Sequence, residues 1–221
     1  MADDPRFETR AIHIGQGADE ATGATIVPIY QTATFTQDAI GTNRGYEYSR
    51  SGNPTRDALE AALASLEGGR FGLAYASGMA AIHGVMQLLS AGDHVVVCDD
   101  LYGGSYRLFT QVMSGFGVRF SFVDATVLDE IETAIDSETK MLWIESPTNP
   151  MLRMIDIAAC AEIANRKELM LVVDNTFASP YLQNPLELGA HVVAHSTTKY
   201  IGGHSDVIGG ALVVNDEEIA T

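Results

Sequence analysis

The chain is predicted to adopt an α/β fold, a mostly parallel sheet flanked by helices. Three observations carry this. Near-continuous apolar runs of strand length recur along the sequence. Stretches with helical spacing of apolar residues separate them, and the connections are short, as in sheets covered by helices on both faces.

Residues 1–52 show weak periodicity and turn-prone stretches such as Gly15-Gln16-Gly17-Ala18-Asp19, and are expected to form an extended arm contacting a neighbouring subunit. The regular pattern, expected to form one α/β domain, covers 53–221. Asn53-Pro54 opens a helix with a capping residue and a proline at its first position. Leu59, Leu63 and Leu66 would line one face, and Gly68-Gly69 would stop it. After the short apolar run Leu73-Ala74-Tyr75-Ala76, a helix is expected over 78–89. Strands are expected at 94–98, 118–123, 141–144, 169–173, 191–194 and 211–214, with helices over 105–113, 128–135 and 155–165. A new helix begins near 217–221, so a further carboxyl-terminal domain is expected beyond the chain.

Composition narrows the function classes. A 221-residue chain with 46% hydrophobic residues can bury a sizeable core. Its formal net charge of −16 argues against nucleic acid and anionic membrane surfaces as partners. The start Met1-Ala2-Asp3-Asp4-Pro5 is acidic and lacks the apolar core of a secretory signal. No uncharged apolar run reaches the roughly 18 residues of a membrane-spanning helix. Cys98 and Cys160 belong to no paired motif and read as small buried hydrophobes in a reducing compartment. A cytoplasmic protein is expected. The six histidines are scattered and no phosphate-loop or dinucleotide fingerprint occurs, so neither a metal nor a nucleotide is expected.

The chemistry concentrates at strand ends. Only three lysines occur, and Lys199 follows the run His191-Val192-Val193-Ala194 in His195-Ser196-Thr197-Thr198-Lys199-Tyr200. The preceding apolar run, ending in Val172-Val173, delivers Asp174-Asn175-Thr176. Neighbouring strands would therefore carry an amine and a carboxylate to one sheet edge. Pyridoxal phosphate needs that pair: a lysine to hold its aldehyde, and an acid to keep its ring nitrogen protonated. Ser196 and Thr198 could donate to its phosphate, and Thr176 could approach the ring. Ser77-Gly78-Met79-Ala80 opens a helix, where free amides and the helix dipole favour an anion. Tyr48 and Arg50 set an aromatic and a cationic group in an acidic arm, and arginine suits phosphate. Tyr102, before Gly103-Gly104, could lie flat on a planar ring. Asn149, in Pro147-Thr148-Asn149-Pro150, could offer its amide to a phenolic oxygen.

These segments together resemble the cysteine/methionine-metabolism family of pyridoxal phosphate enzymes. The Ser-Gly-Asn-Pro-Thr-Arg and Ser-x-Thr-Lys-Tyr segments carry the resemblance most specifically. It implies the large domain of the aspartate-aminotransferase-like fold (fold type I), with a carboxyl-terminal domain missing here. It also implies roles. Lys199 would hold the cofactor and shuttle protons, and Tyr102 would stack on the ring and assist proton transfer. Asp174 would bind the ring nitrogen and Asn149 the ring hydroxyl. Gly78, Met79, Ser196 and Thr198 would hold the phosphate, joined by Tyr48 and Arg50 of a neighbouring subunit in a homotetramer built from dimers with shared sites. Arg107 and Glu47 would contact an amino-acid substrate. Phe177 resembles the γ-acting branches more than the bacterial β-lyases, and Gly104 argues against methionine γ-lyases. The resemblance implies γ-elimination on cystathionine in transsulfuration. Replacement on an O-acylhomoserine by cysteine stands as the alternative, and a non-catalytic cofactor-binding module as a rival of another class.

Overall fold

The computed structural model describes residues 5–221, so the acidic start at residues 1–4 lies outside the described part. Seven strands form one sheet: β1 (Phe71–Tyr75), β2 (His94–Cys98), β3 (Arg119–Val123), β4 (Thr139–Glu145), β5 (Met170–Asp174), β6 (Val192–His195) and β7 (Gly210–Val214). Their spatial order is β1-β7-β6-β5-β4-β2-β3. Strands β2 to β6 pair in parallel, whereas β7 runs antiparallel to both neighbours. Strand β1 is thereby parallel to β6. After β3 the chain returns to the other side of β2, so the order reverses between β2 and β4. A crevice at the carboxyl ends of strands beside such a reversal is where open α/β sheets bind ligands.

The helices are α1 (Phe7–His13), α2 (Pro54–Glu67), α3 (Gly78–Met86), α4 (Gly103–Arg107), α5 (Leu128–Ala134), α6 (Ile157–Arg166), α7 (Ser179–Leu182) and α8 (Glu217–Ala220). Helix α2 starts and stops where its sequence indicates. The Asn53 side chain accepts from the Thr55 amide, and Gly68 takes φ 69° at the other end. Helix α6 begins at Ile157 rather than 155, because Asp156 caps it by accepting from the Ala159 amide at 3.0 Å. The helix expected over 105–113 is broken: α4 passes into a π-turn at Leu108–Val112 and a 3₁₀ turn at Met113–Phe116. Thr110 donates its hydroxyl to the Tyr106 carbonyl and Ser114 to that of Phe109, bonds of a kind that bend helices. Leu59, expected on the buried face of α2 with Leu63 and Leu66, is 47% exposed. It faces an open groove between α1, α2 and α7. Helices α1 and α7 are too short to show periodicity, and α1 docks the beginning of the arm onto α2 through Arg10 and the carbonyl of Ser65. No helix among the described residues is long and apolar enough to cross a membrane.

Strands β2 and β5 to β7 are buried almost throughout and β4 nearly so, with β1 and β3 half-covered at the edges. Fully buried Trp143 of β4 packs edge-on against Phe109 at 5.4 Å, and Phe109 stacks on Phe120 at 5.1 Å. Trp143→Ala would open a cavity at the sheet centre costing about 3–5 kcal/mol. The expected readout is a lower urea midpoint at an unchanged slope. Cys98 and Cys160 are both buried and free, as their apolar surroundings suggested.

Candidate functional site

Five segments that follow parallel strands converge on one cavity of about 470 Å³. Ser77, Gly78 and Met79 follow β1, Tyr102 follows β2, and Glu145 and Asn149 come from the end of β4 and the loop beyond it. Asp174, Thr176 and Phe177 follow β5, while Ser196, Thr198 and Lys199 follow β6; all line the cavity. Asp174 closes β5 opposite Ala194 of β6, so the carboxylate and the Ser196–Lys199 loop sit on adjacent strand ends.

The carboxylate is fixed from its own loop. Asp174 Oδ1 accepts from the Thr176 amide at 3.0 Å and from the Thr176 hydroxyl at 2.5 Å. Thr176 Oγ1 in turn accepts from the Ser196 amide at 2.9 Å, binding the β5 loop to the β6 loop. Burial pushes the Asp174 carboxyl upward in pKa, and the Thr176 bonds and nearby His195 pull it back.

Glu145, absent from the residues singled out in the sequence, stands in register with Asp174 on the neighbouring strand and lines the same cavity. Its Oε2 accepts from the Tyr102 amide at 2.8 Å, which ties the tyrosine loop to β4. Burial first, and the charge of Asp174 second, lift its pKa to about 9. A buried carboxyl raised in this way contributes stability that is present below its ordinary 4.5 and lost as pH climbs through about 9. Glu145→Gln keeps an acceptor for Tyr102 and removes that loss. The melting temperature of the cofactor-free variant should therefore gain on the wild type steadily from about pH 5 to 9. A difference independent of pH would contradict the placement of this carboxyl.

The opposite wall is built to receive an anion. At the start of α3, the Ser77 side chain caps the Ala80 amide, and the Ala81 amide bonds the Ser77 carbonyl. The earlier Gly78 and Met79 amides have no acceptor within the helix, and both residues line the cavity. A methyl group on Gly78 would lie 2.7 Å from Ser196 Cβ, so only glycine lets the helix start and the serine approach so closely. Thr198 is partly committed already: its hydroxyl donates to the Gly209 carbonyl and accepts from the Gly209 amide, both at 3.1 Å. Gly104 does the same service for Tyr102, since a Cβ there would lie 2.3 Å from the ring and 2.8 Å from Met79 Sδ. The loop bearing Asn149 is held to β2 by Asp100, which accepts from Thr148 and from the Met151 amide at 3.1 Å. Arg153 adds ion pairs to Asp99 at 2.5 Å and to Asp124 at 3.0 Å.

These residues fit pyridoxal phosphate. Two buried carboxyls line the cavity, and among the described residues neither is ion-paired to a protein cation, which suits a ring bearing a protonated nitrogen. Across the cavity, a glycine-lined helix start and a serine hydroxyl suit a phosphate. Lys199, exposed at the rim, supplies the amine. Glu47, Tyr48, Arg50 and Arg107 are exposed and do not line the cavity of this chain. Arg50 instead lies over the Tyr48 ring at 4.7 Å.

Comparison with known proteins agrees with this chemistry. The description "Cys/Met metabolism PLP-dependent enzyme" matches residues 8–221. A probable cystathionine gamma-synthase of Herpetosiphon aurantiacus is 52% identical over 96% of the chain and 67% of its own length. A cystathionine beta-lyase of Coxiella burnetii is 54% identical over 96% of the chain and 55% of its own length. The crystal structure of cystathionine gamma-lyase from Lactobacillus plantarum complexed with L-serine superposes with a TM-score of 0.94 at 52% identity. That superposition covers 98% of this chain and 57% of the other, so the chain spans little more than half of that protein.

Proposed function

Because the chain belongs to the Cys/Met-metabolism family of PLP-dependent enzymes, we propose that it catalyses γ-elimination on cystathionine. The products are cysteine, 2-oxobutanoate and ammonia, with one water consumed. The observation that carries the site is the meeting of Lys199 and Asp174, from adjacent parallel strands, in one cavity. Bound pyridoxal phosphate supplies an electron sink for a substrate carbanion.

The chain's own groups do the rest. Lys199 would hold the aldehyde until a substrate amine replaces it, and its Nζ would then accept the α proton. Asp174 would hold the ring nitrogen as a carboxylate and Asn149 the ring hydroxyl. Tyr102, held by Glu145 at its amide and by Gly104 beneath its ring, would cover one face of the ring and assist proton transfer. Gly78, Met79 and Ser196 would receive the phosphate, and Thr198 would join them if its hydroxyl turned from Gly209. Tyr48 and Arg50 complete that pocket from a second copy of the chain, in a tetramer built from dimers, where Arg107 and Glu47 meet the substrate. The described part of the arm, residues 5–52, would make that contact, and exposed Ile26, Ile29 and Ile40 support its having a partner.

A second reading is γ-replacement, in which cysteine adds to an O-acylhomoserine. It draws support from the gamma-synthase name of a relative 52% identical to this chain. Phe177, on the cavity wall, supports either γ reaction over β-elimination only through its resemblance to the γ-acting branches. One set of assays separates them. Cystathionine should yield 2-oxobutanoate and cysteine. Formation of cystathionine from an O-acylhomoserine and cysteine would select the synthase reading, and release of pyruvate with homocysteine would overturn both.

A further inference from the structure

Directly behind the cavity lies a second layer of buried polar groups that the reaction above does not use. Successive residues of a strand point to opposite faces. Glu145, Asp174 and Ser196 line the cavity, and their neighbours Ser146, Asn175 and His195 are turned the other way. Asn175 and His195 are joined by a side chain from α2, and the loop after α7 links Asn175 to the Ser146 carbonyl. Glu67, the last residue of α2, has its side chain 1% exposed. Its Oε1 accepts from Asn175 Nδ2 at 2.8 Å and meets His195 Nε2 at 2.5 Å. Gln183 extends the layer to β4, donating to the Ser146 carbonyl and to Asn175 Oδ1, each at 2.9 Å.

Stability alone does not account for this layer. Taking a carboxylate and an imidazole out of water costs several kcal/mol, and well-packed apolar side chains often serve stability as well or better. His195 Nδ1 is also buried without a partner, a further cost. What the layer does provide is a single carboxylate joining the residue after Asp174 to the residue before Ser196. A shift of either strand end would break one of two bonds to the same oxygen.

We propose that Glu67 is a positioning residue that sets the spacing between Asp174 and the Ser196–Lys199 loop by holding Asn175 and His195 together from behind. The inference rests on the pyridoxal phosphate reading of the cavity. His195 adds to the effect, since its nearness favours the carboxylate form of Asp174.

The test uses the cofactor-loaded protein and three variants. Glu67→Ala removes the clamp. Glu67→Gln keeps an oxygen acceptor of the same reach. Leu63→Ala removes buried apolar packing from the same helix and leaves the clamp alone. Glu67→Ala is expected to raise the dissociation constant for pyridoxal phosphate at least tenfold and to shift the visible absorption maximum. Glu67→Gln should recover most of both. Leu63→Ala should lower the melting temperature at least as much, yet leave the constant within twofold and the maximum unmoved. The proposal is overturned if Glu67→Ala binds the cofactor like the wild type, or if binding in all three variants simply follows their melting temperatures. Should Glu67→Ala not fold, Glu67→Asp, one methylene too short to reach both partners, against Leu63→Ala decides: a raised dissociation constant and a shifted absorption maximum in Glu67→Asp alone support the clamp, and constants and spectra alike in the two reject it. Wild-type protein that binds no cofactor, or carries no label on Lys199 after borohydride reduction, would instead refute the cavity reading itself.

Discussion

Lys199→Ala should abolish turnover and remove the visible absorption of the bound cofactor. Loss of the proton transfer alone is expected to cost roughly 10²–10⁴-fold in kcat, and loss of the covalent hold on the aldehyde adds to it. Borohydride reduction of the wild type, followed by peptide mapping, should place the label on Lys199. The other two lysines make this a sharp experiment. Lys140 lines a separate cavity near Asn165 and His191, where β5 and β6 begin, and Lys167 ends α6. Both lie at the end of the sheet away from Asp174. Label on either would reject the assignment.

Asp174→Asn is the second large effect. Both Thr176 bonds fall on Oδ1, so an amide can keep them and the loop should remain folded. The charge assigned above to the ring nitrogen would be lost. Breaking a buried charge pair costs about 3–5 kcal/mol, so kcat/KM is expected to fall roughly 10²–10⁴-fold. The neighbouring acid adds a finer expectation. Asp174 helps to keep Glu145 protonated, so its neutralisation lets Glu145 ionise more readily. Glu145→Gln should then cost more activity in the Asp174→Asn background than alone. Equal costs in the two backgrounds would show that the acids do not share the site.

Much of this was legible before any coordinates. Strands buried on both faces announce themselves as apolar runs, and six predicted runs lie within a residue or two of observed strands. Asn53 and Gly68 marked the ends of α2 because capping chemistry is local. Lys199 and Asp174 stood out because each directly follows such a run. Glu145 did not, since a single acid ending an apolar stretch looks like a solvated strand end until its neighbour across the sheet is known. Glu67 was hidden in the same way: at a helix terminus it resembles any exposed glutamate, and only the fold buries it. Strand order is equally silent in the sequence. Nothing local says that β7, late in the chain, separates β1 from β6. The π-turn after α4 depends on which carbonyls Thr110 and Ser114 reach, and hydropathy does not record that.

The place of β7 has a consequence for how the protein is made. Strand β1 is bonded to the sheet through β7 alone, pairing Phe71 with Val214 and Tyr75 with Gly210. While the ribosome is still short of Gly210, the segment that presents Gly78 to Ser196 has no strand to join, although the lysine and the aspartate have both been synthesised. Local contacts close early and those of great sequence separation close late. A nascent chain should therefore acquire its amine and acid before its helix start for an anion is docked, so stable capture of a phosphate-bearing cofactor is expected to wait until β7 has emerged.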